Sequence, residues 1–238
     1  MNILSHYYNL VHFAFNRFRG DNYRLMREYF AGIFISEVEG FLKLTDKMTV
    51  LDVGGARGEF SRMINEKRGC KVVNLDPVPG ESVWPDTVTA VGDRIPFRDG
   101  QFDLAMSRGV LEHIPRDRQQ LTIDEIYRVL RKGGYAYIMI PPWYNPFAGH
   151  GLKPFHTLPF PVAKRLREFF FRKKVKGNSF AEKRLFPITF RRARNMLKKS
   201  GFEIKDTLDT HFRLHFLTKI PVLREILVPA AAFILKKE

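Results

Sequence analysis

The sequence is short of several things, and each shortage removes a class of protein. It holds one cysteine, Cys70, in 238 residues. No intramolecular disulfide can form, and a reducing compartment is expected. No apolar run is long enough to cross a bilayer: the most apolar stretch, IPVLREILVPAAAFILKKE, is broken by Arg224 and Glu225. The opening segment, MNILSHYYNLVHFAFNRFR, lacks the basic region and small-residue cleavage site of a secretory leader. A repeat with a period of about 20–50 residues is absent, as is any low-complexity tract. No His/Cys series has the spacing of a structural zinc site, so no metal is expected there. A magnesium ion held between an acid and a bound substrate stays open. Acidic residues are scarce as well: 25 against 40 Lys and Arg, a net charge of +15.

That excess is local. Residues 164–194 hold twelve Lys and Arg but only two acids, Glu168 and Glu182, so ten of the fifteen net charges fall in 31 residues. A basic segment of this kind implies an anionic partner (nucleic acid, an acidic membrane surface or a phosphate-bearing substrate) or simply a solvated face. Hydrophobic residues make up 45% of the chain, enough for a full core in one larger domain.

From Met48 onward apolar runs alternate with helical patterns. TVLDVG reads as a strand, EFSRMINEKRG as a helix closed by Gly69, and CKVVNLD as a strand. A short strand is expected near Val88–Val91, then FDLAMSRG as a strand, QQLTIDEIYRVLRKGG as a helix and YAYIMIPP as a strand. This alternation predicts an α/β fold with a doubly wound, mostly parallel, Rossmann-like sheet of seven strands. Residues 1–47 read as an N-terminal helical segment, with Leu4, Tyr8, Val11, Phe15 and Phe18 on one stripe. Residues 48–142 form the regular core and residues 143–186 an irregular cap. Residues 187–238 return to the sheet with a Thr189-capped helix, the strand FEIKDTL and an antiparallel last strand, AAAFILKK. The whole, 1–238, reads as one domain.

The first strand runs into the stretch VLDVGGARGEF. Small residues recur at Gly54, Ala56 and Gly58, with Gly55 between the first two. A phosphate-binding P-loop would need a lysine and a hydroxyl residue after the last glycine, and Glu59 stands there instead. A nicotinamide dinucleotide would need a different glycine spacing, and Asp52 is badly placed for a pyrophosphate. A ligand that needs close backbone approach, carries positive charge and has no phosphate fits better, and S-adenosyl-L-methionine is such a ligand.

The stretch resembles the first motif of the class I S-adenosylmethionine-dependent methyltransferases, D-x-G-x-G-x-G, with Ala56 at the middle glycine. Three further stretches follow in register. VVNLDP resembles the end of the family's second strand, which implies that Asp76, followed by Pro77, accepts both ribose hydroxyls. GDRIPFRDGQFD resembles the third motif. It implies that Asp93 takes the adenine amino group and that the Arg94 backbone N–H meets a ring nitrogen. FDLAMSRGVLEHIP resembles the fourth strand and turn, which implies that Ser107 and Arg108 lie by the methionine moiety.

A methyl acceptor needs alignment with the methyl group, exclusion of water and, for an alcohol, a base. His113 follows the fourth strand, and His150 and His156 follow the fifth in WYNPFAGHGLKPFHTLPFP. These three are the candidate catalytic residues. NPFAGHGLKPFH, the basic stretch and IPVLREILVPAAAFILKK together resemble a subgroup that methylates cell-envelope glycans and lipid-linked sugars. The expectation is O-methylation of a sugar, lipid-linked or other small-molecule acceptor, on a cytoplasmic enzyme in peripheral contact with the inner face of an anionic membrane. The combination of Phe169, Phe170 and Phe171 with neighbouring cations suits such contact. The alternatives are C-methylation of an isoprenoid quinone or other lipid, an RNA methyltransferase and a non-catalytic binding protein. The polar-Pro-Pro-aromatic motif of amino-group methyltransferases is absent, because Ile140 precedes PPWY.

Overall fold

A computed structural model describes residues 3–16 and 19–238. Its centre is a seven-stranded sheet in the order β3-β2-β1-β4-β5-β7-β6. The strands are β1 (Thr49–Val53), β2 (Lys71–Leu75), β3 (Thr87–Val88), β4 (Phe102–Arg108), β5 (Leu130–Ile140), β6 (Glu203–Asp209) and β7 (Ala231–Lys236). β1 pairs in parallel with β2 and β4, and β7 runs antiparallel between β5 and β6. The last strand therefore lies one position in from the edge, as expected of a strand near it.

Alternation along the strands builds two cores. Leu104, Met106, Ala232 and Ile234 point to the face covered by α2 (Asn22–Glu39) and α3 (Glu59–Arg68), where Phe34, Val38, Phe60 and Ile64 meet them. Ala105, Ala136, Ile138, Phe233 and Leu235 point to the other face, under α4 (Gln119–Val129) and α6 (Phe190–Lys199). With both faces covered, the strands are apolar nearly throughout. The local signals act as read. Gly69 adopts φ +72° and donates its N–H to Asn65 as α3 ends. Thr189 accepts the Arg192 N–H at the start of α6.

Two segments differ from the expectation. The helix over residues 119–134 stops at Val129, and Leu130 already pairs with Phe102 of β4. The reason lies far away in sequence: the Lys237 ammonium donates to the Tyr127, Arg128 and Leu130 carbonyls, satisfying that helix end. The short strand is Thr87–Val88, not Val88–Val91, because only these residues pair with Asn74 and Leu75.

α1 (Ile3–Asn16) turns its apolar stripe outward: Leu4, Tyr8, Val11 and Phe15 are 74%, 70%, 59% and 82% exposed. Phe18 lies outside the described residues. The helix is docked by its other face. His6 bonds Tyr29 Oη and the His211 carbonyl, Tyr7 donates to the Phe212 carbonyl, and Phe13 is buried. Residues 143–186 carry α5 (Phe160–Phe171) and a small core of Leu152, Phe160, Ala163 and Val175. Among the described residues no helix is long and apolar enough to cross a membrane.

Candidate active site

A cavity of about 1050 Å³ opens at the carboxyl ends of β1, β2 and β4. This is where ligands bind in open α/β sheets, and the volume is at the top of the range for small-molecule sites. The wall around the β1 turn is built from Asp52, Gly54, Gly55 and Ala56.

The turn has no spare room. A Cβ on Gly54, at φ +75°, would come within 2.4 Å of Val110 Cγ2. A Cβ on Gly55 would come within 2.1 Å of Asn74 Oδ1, and one on Gly58, at φ +82°, within 2.6 Å of Trp84 Cβ. The glycines are thus required first by the protein's own neighbours. Ala56 sits at φ +52° and is exposed, so its methyl meets no such obstacle. Gly58 caps α3 and lies outside the cavity wall.

Asp76 follows β2 and pins the turn. Its Oδ2 accepts the Ala56 N–H at 2.9 Å and its Oδ1 the Val78 N–H at 2.8 Å. Asn74 completes the clasp, donating to the Ala56 carbonyl at 3.0 Å. It is fully buried, and its Oδ1 has no partner among the described residues. The sequence reading missed Asn74; its only signal was a polar residue inside an otherwise apolar strand. Pro77 and Asp93 also line the cavity. Asp93 accepts from Arg118 at 2.6 Å. Arg94 is not in the wall, and its N–H is already donated to the Val91 carbonyl at 3.2 Å. The ring contact expected of that N–H is therefore taken by the turn itself, a correction to the third-motif expectation.

Below the turn lies a buried charged group. Burial pushes the Asp52 carboxyl up to about 6, against the opposing pull of Ser61, Arg108 and Arg27. Ser61 Oγ donates to it at 3.1 Å. Arg108 ends β4 with its guanidinium 3.8 Å from the Phe60 ring centroid, and Arg27 of α2 lies 4.6 Å from the same centroid. Such contacts are worth up to about 2 kcal/mol when desolvated. Arg27 reaches the cavity from α2, and no motif pointed to it. Behind Arg108, Tyr137 Oη donates to Glu37 at 2.6 Å, and burial lifts the Glu37 carboxyl to about 7. Ser107 is buried behind the wall with an unpartnered hydroxyl among the described residues.

The facing rim is made by residues 110–114 and the cap. Phe186 donates its N–H to the Glu112 carbonyl at 2.7 Å, and His113 Nδ1 meets the Arg184 carbonyl at 2.7 Å. A carbonyl only accepts, so Nδ1 carries a proton, and in the neutral ring Nε2 is the nitrogen that keeps the lone pair. His113 lines the cavity together with Arg184 and Phe186. His150 stands beside it, ring centroids 4.7 Å apart, with Nε2 3.8 Å from Glu112 Oε1. His156 does not reach the cavity wall. It is 1% exposed, and its Nε2 donates to the Trp143 carbonyl at 2.7 Å. A Cβ on Gly149 would lie 2.2 Å from its ring, so His156 packs under the turn that presents His150. Direct contact with an acceptor is thereby corrected to a packing role for His156.

Comparison with known proteins agrees with this geometry. Residues 23–207 match the family described as Methyltransferase domain. An uncharacterized methyltransferase of Mycolicibacterium paratuberculosis is 32% identical over 203 residues, covering 80% of this chain and 76% of the relative. Another, from Mycobacteroides abscessus, is 29% identical over 208 residues, covering 79% and 76%. Among solved structures, an S-adenosylmethionine-dependent methyltransferase from Mesorhizobium loti superposes with a TM-score of 0.57 at 17% identity, covering 85% of this chain and 96% of that one. Geranyl diphosphate methyltransferase, solved with geranyl diphosphate and sinefungin, gives 0.57 at 13% identity, covering 87% and 76%. The chain belongs to the methyltransferase family, and its fold is that of the S-adenosylmethionine-dependent methyltransferase from Mesorhizobium loti.

Proposed function

We propose that this methyltransferase O-methylates a hydroxyl of a sugar or lipid-linked glycan at the cytoplasmic face of an anionic membrane. The observation that carries the hydroxyl assignment is His113: its Nδ1 is committed to the Arg184 carbonyl, and its Nε2 lone pair stands at the rim of the cavity. An alcohol is a weak nucleophile and needs such an acceptor for its proton.

The residues present fit S-adenosylmethionine. The tight turn at Gly54, Gly55 and Ala56 offers backbone to the ligand without side chains in the way. Asp76 is the acceptor for ribose hydroxyls, and Asp93 for the adenine amino group. Arg27 and Arg108 set positive charge at the end of the cavity suited to the methionine carboxylate, with Ser107 behind them. Gly58 and Arg94 shape the two turns rather than touch the ligand. When bound, the cofactor supplies an electrophilic methyl group on a sulfonium. The hydroxyl proton passes to His113 Nε2. His150 and Glu112 hold His113 in place, and Arg184 and Phe186 of the cap close that rim against water.

Residues 1–47, 143–186 and the two halves of the sheet are accordingly read as anchor, cap and cofactor scaffold within one domain. The membrane assignment rests on outward-facing apolar residues set beside cations. Phe169, Phe170 and Phe171 are 78%, 63% and 47% exposed, and Arg165, Arg172, Lys173, Lys174 and Lys176 beside them are exposed too. α1 is tied to the cap through Phe212, whose carbonyl accepts the Tyr7 hydroxyl and whose ring touches Phe147. Apolar anchors bury in the acyl boundary while each basic residue contributes about 1 kcal/mol on anionic lipid. C-methylation of a lipid would suit a wall without charges, whereas this one carries Asp52, Asp76, Asp93, Arg27, Arg108 and Arg118.

The test pairs flotation with phosphatidylglycerol vesicles and transfer of a labelled methyl group to free and lipid-linked glycans. Phe169→Ser with Phe170→Ser should cut vesicle binding by roughly 10-fold or more, leaving cofactor affinity unchanged. No label in any glycan methyl ether, together with no vesicle binding, sinks the reading. Salt-sensitive RNA binding with label in RNA would replace it.

A further inference from the structure

We infer that Glu112, His113 and His150 form a site for one divalent transition-metal ion, zinc by the character of the donors, at the rim of the methyl-transfer cavity. One carboxylate oxygen and one nitrogen from each imidazole all lie within 4.8 Å of one another. Two nitrogens and one oxygen are the donor set of many three-ligand zinc sites, which leave a position open.

Three separate features prepare these groups. Glu112 is 3% exposed, and its Oε2 has no hydrogen-bond partner among the described residues. A buried carboxylate oxygen left without a donor is costly, and a cation answers that cost. His113 carries the outer-sphere arrangement typical of ligating histidines: Nδ1–H is held by a backbone carbonyl, which fixes the ring and points the Nε2 lone pair away. His150 is exposed, with Nε2 3.8 Å from Glu112 Oε1, and its ring meets that of His113 edge-on. Metal–ligand bonds of about 2.0–2.2 Å need donors roughly 3.5 Å apart, so a closure of about 1 Å is required. The exposed His150 side chain supplies it by rotation. His156, wedged under Gly149, holds the backbone of this turn in position.

The site overlaps the reading above, on which only its consequence rests: a metal and a proton compete for His113 Nε2, so bound zinc would silence the proposed base. Metal binding itself does not depend on that reading. The experiment uses full-length, tag-free protein dialysed against chelator and titrated with Co²⁺. We expect one ion per chain with the intense visible absorption of a low-coordinate site, displaced by Zn²⁺. His150→Ala, a change at an exposed residue, should weaken binding at least 10- to 100-fold, with thermal unfolding of the metal-free protein unchanged. No Co²⁺ uptake, or equal uptake by His150→Ala, overturns the inference. Cofactor calorimetry and methyl transfer run in parallel separate the two claims. Transfer to a glycan hydroxyl with no metal uptake defeats the metal site alone, and metal uptake with no transfer by the metal-free protein defeats the acceptor reading alone.

Discussion

The two walls of the cavity are built on different principles. The β1 wall is a turn whose residues are neighbours in sequence and whose shape is forced by contact. Gly54 is crowded by Val110, Gly55 by Asn74 and Gly58 by Trp84, while Asp76 and Asn74 tie Ala56 down. The rim opposite is assembled from three segments far apart in sequence, Glu112 with His113, His150, and Arg184 with Phe186, which only a few polar contacts join. A wall made of one short segment is rigid and legible. A wall made of several is adaptable, as a surface that selects an acceptor needs to be.

The comparison breaks most sharply at the turn. Gly55→Ala places a methyl 2.1 Å from Asn74 Oδ1 and 2.4 Å from Asp52 Oδ2. The turn must shift, and S-adenosylmethionine affinity by calorimetry should fall by at least about 100-fold, an energy of roughly 3 kcal/mol. Next comes Asp76→Ala, which releases two backbone N–H bonds and the proposed ribose acceptor. Hydrogen bonds to a charged group are worth about 1.5–3 kcal/mol, so affinity should drop roughly 10- to 100-fold. On the other wall, His113→Gln should leave cofactor affinity within about 2-fold while lowering the transfer rate by at least about 100-fold. Equal losses in binding and rate would show that the two walls are not separable.

A smaller effect concerns the charged layer behind the turn. Burial raises Glu37 from 4.5 to about 7, so its ionisation costs more in the folded than in the unfolded chain. Native stability is then full below about pH 4.5 and declines as pH rises through about 7. Glu37→Gln keeps a polar partner for Tyr137 but cannot ionise, so the melting temperature of the wild type should fall relative to the variant between pH 5 and 8. A constant difference would mean that Arg108 neutralises Glu37 throughout. The smallest effect is expected at Ala56→Gly. Ala56 is exposed at φ +52°, a conformation glycine adopts freely. Cofactor affinity should change by less than about 3-fold, and a large gain would mark the turn as a degraded site.

By itself the sequence determined the sheet, the glycine turn and the acids that follow β1 and β2. These depend on local periodicity and on neighbours within one strand–turn–helix unit, and a reader of residues 48–142 can see them. Even there a distant residue intervened: Lys237 ends α4, which its own glycines would have let run to residue 134. Tertiary structure decided the rest. Periodicity places Leu4, Tyr8, Val11 and Phe15 on one stripe of α1, and that stripe points to solvent because His6, Tyr7 and Phe13 dock the opposite side. His113, His150 and His156 looked equivalent in sequence, and packing separated them. A carbonyl of the cap orients His113, His150 joins it beside Glu112, and His156 is spent beneath Trp143 and Gly149. Hydrogen-bond partners more than seventy residues away in sequence set which nitrogen keeps its lone pair. Chemistry at that rim is therefore a property of the fold and not of any one stretch of chain.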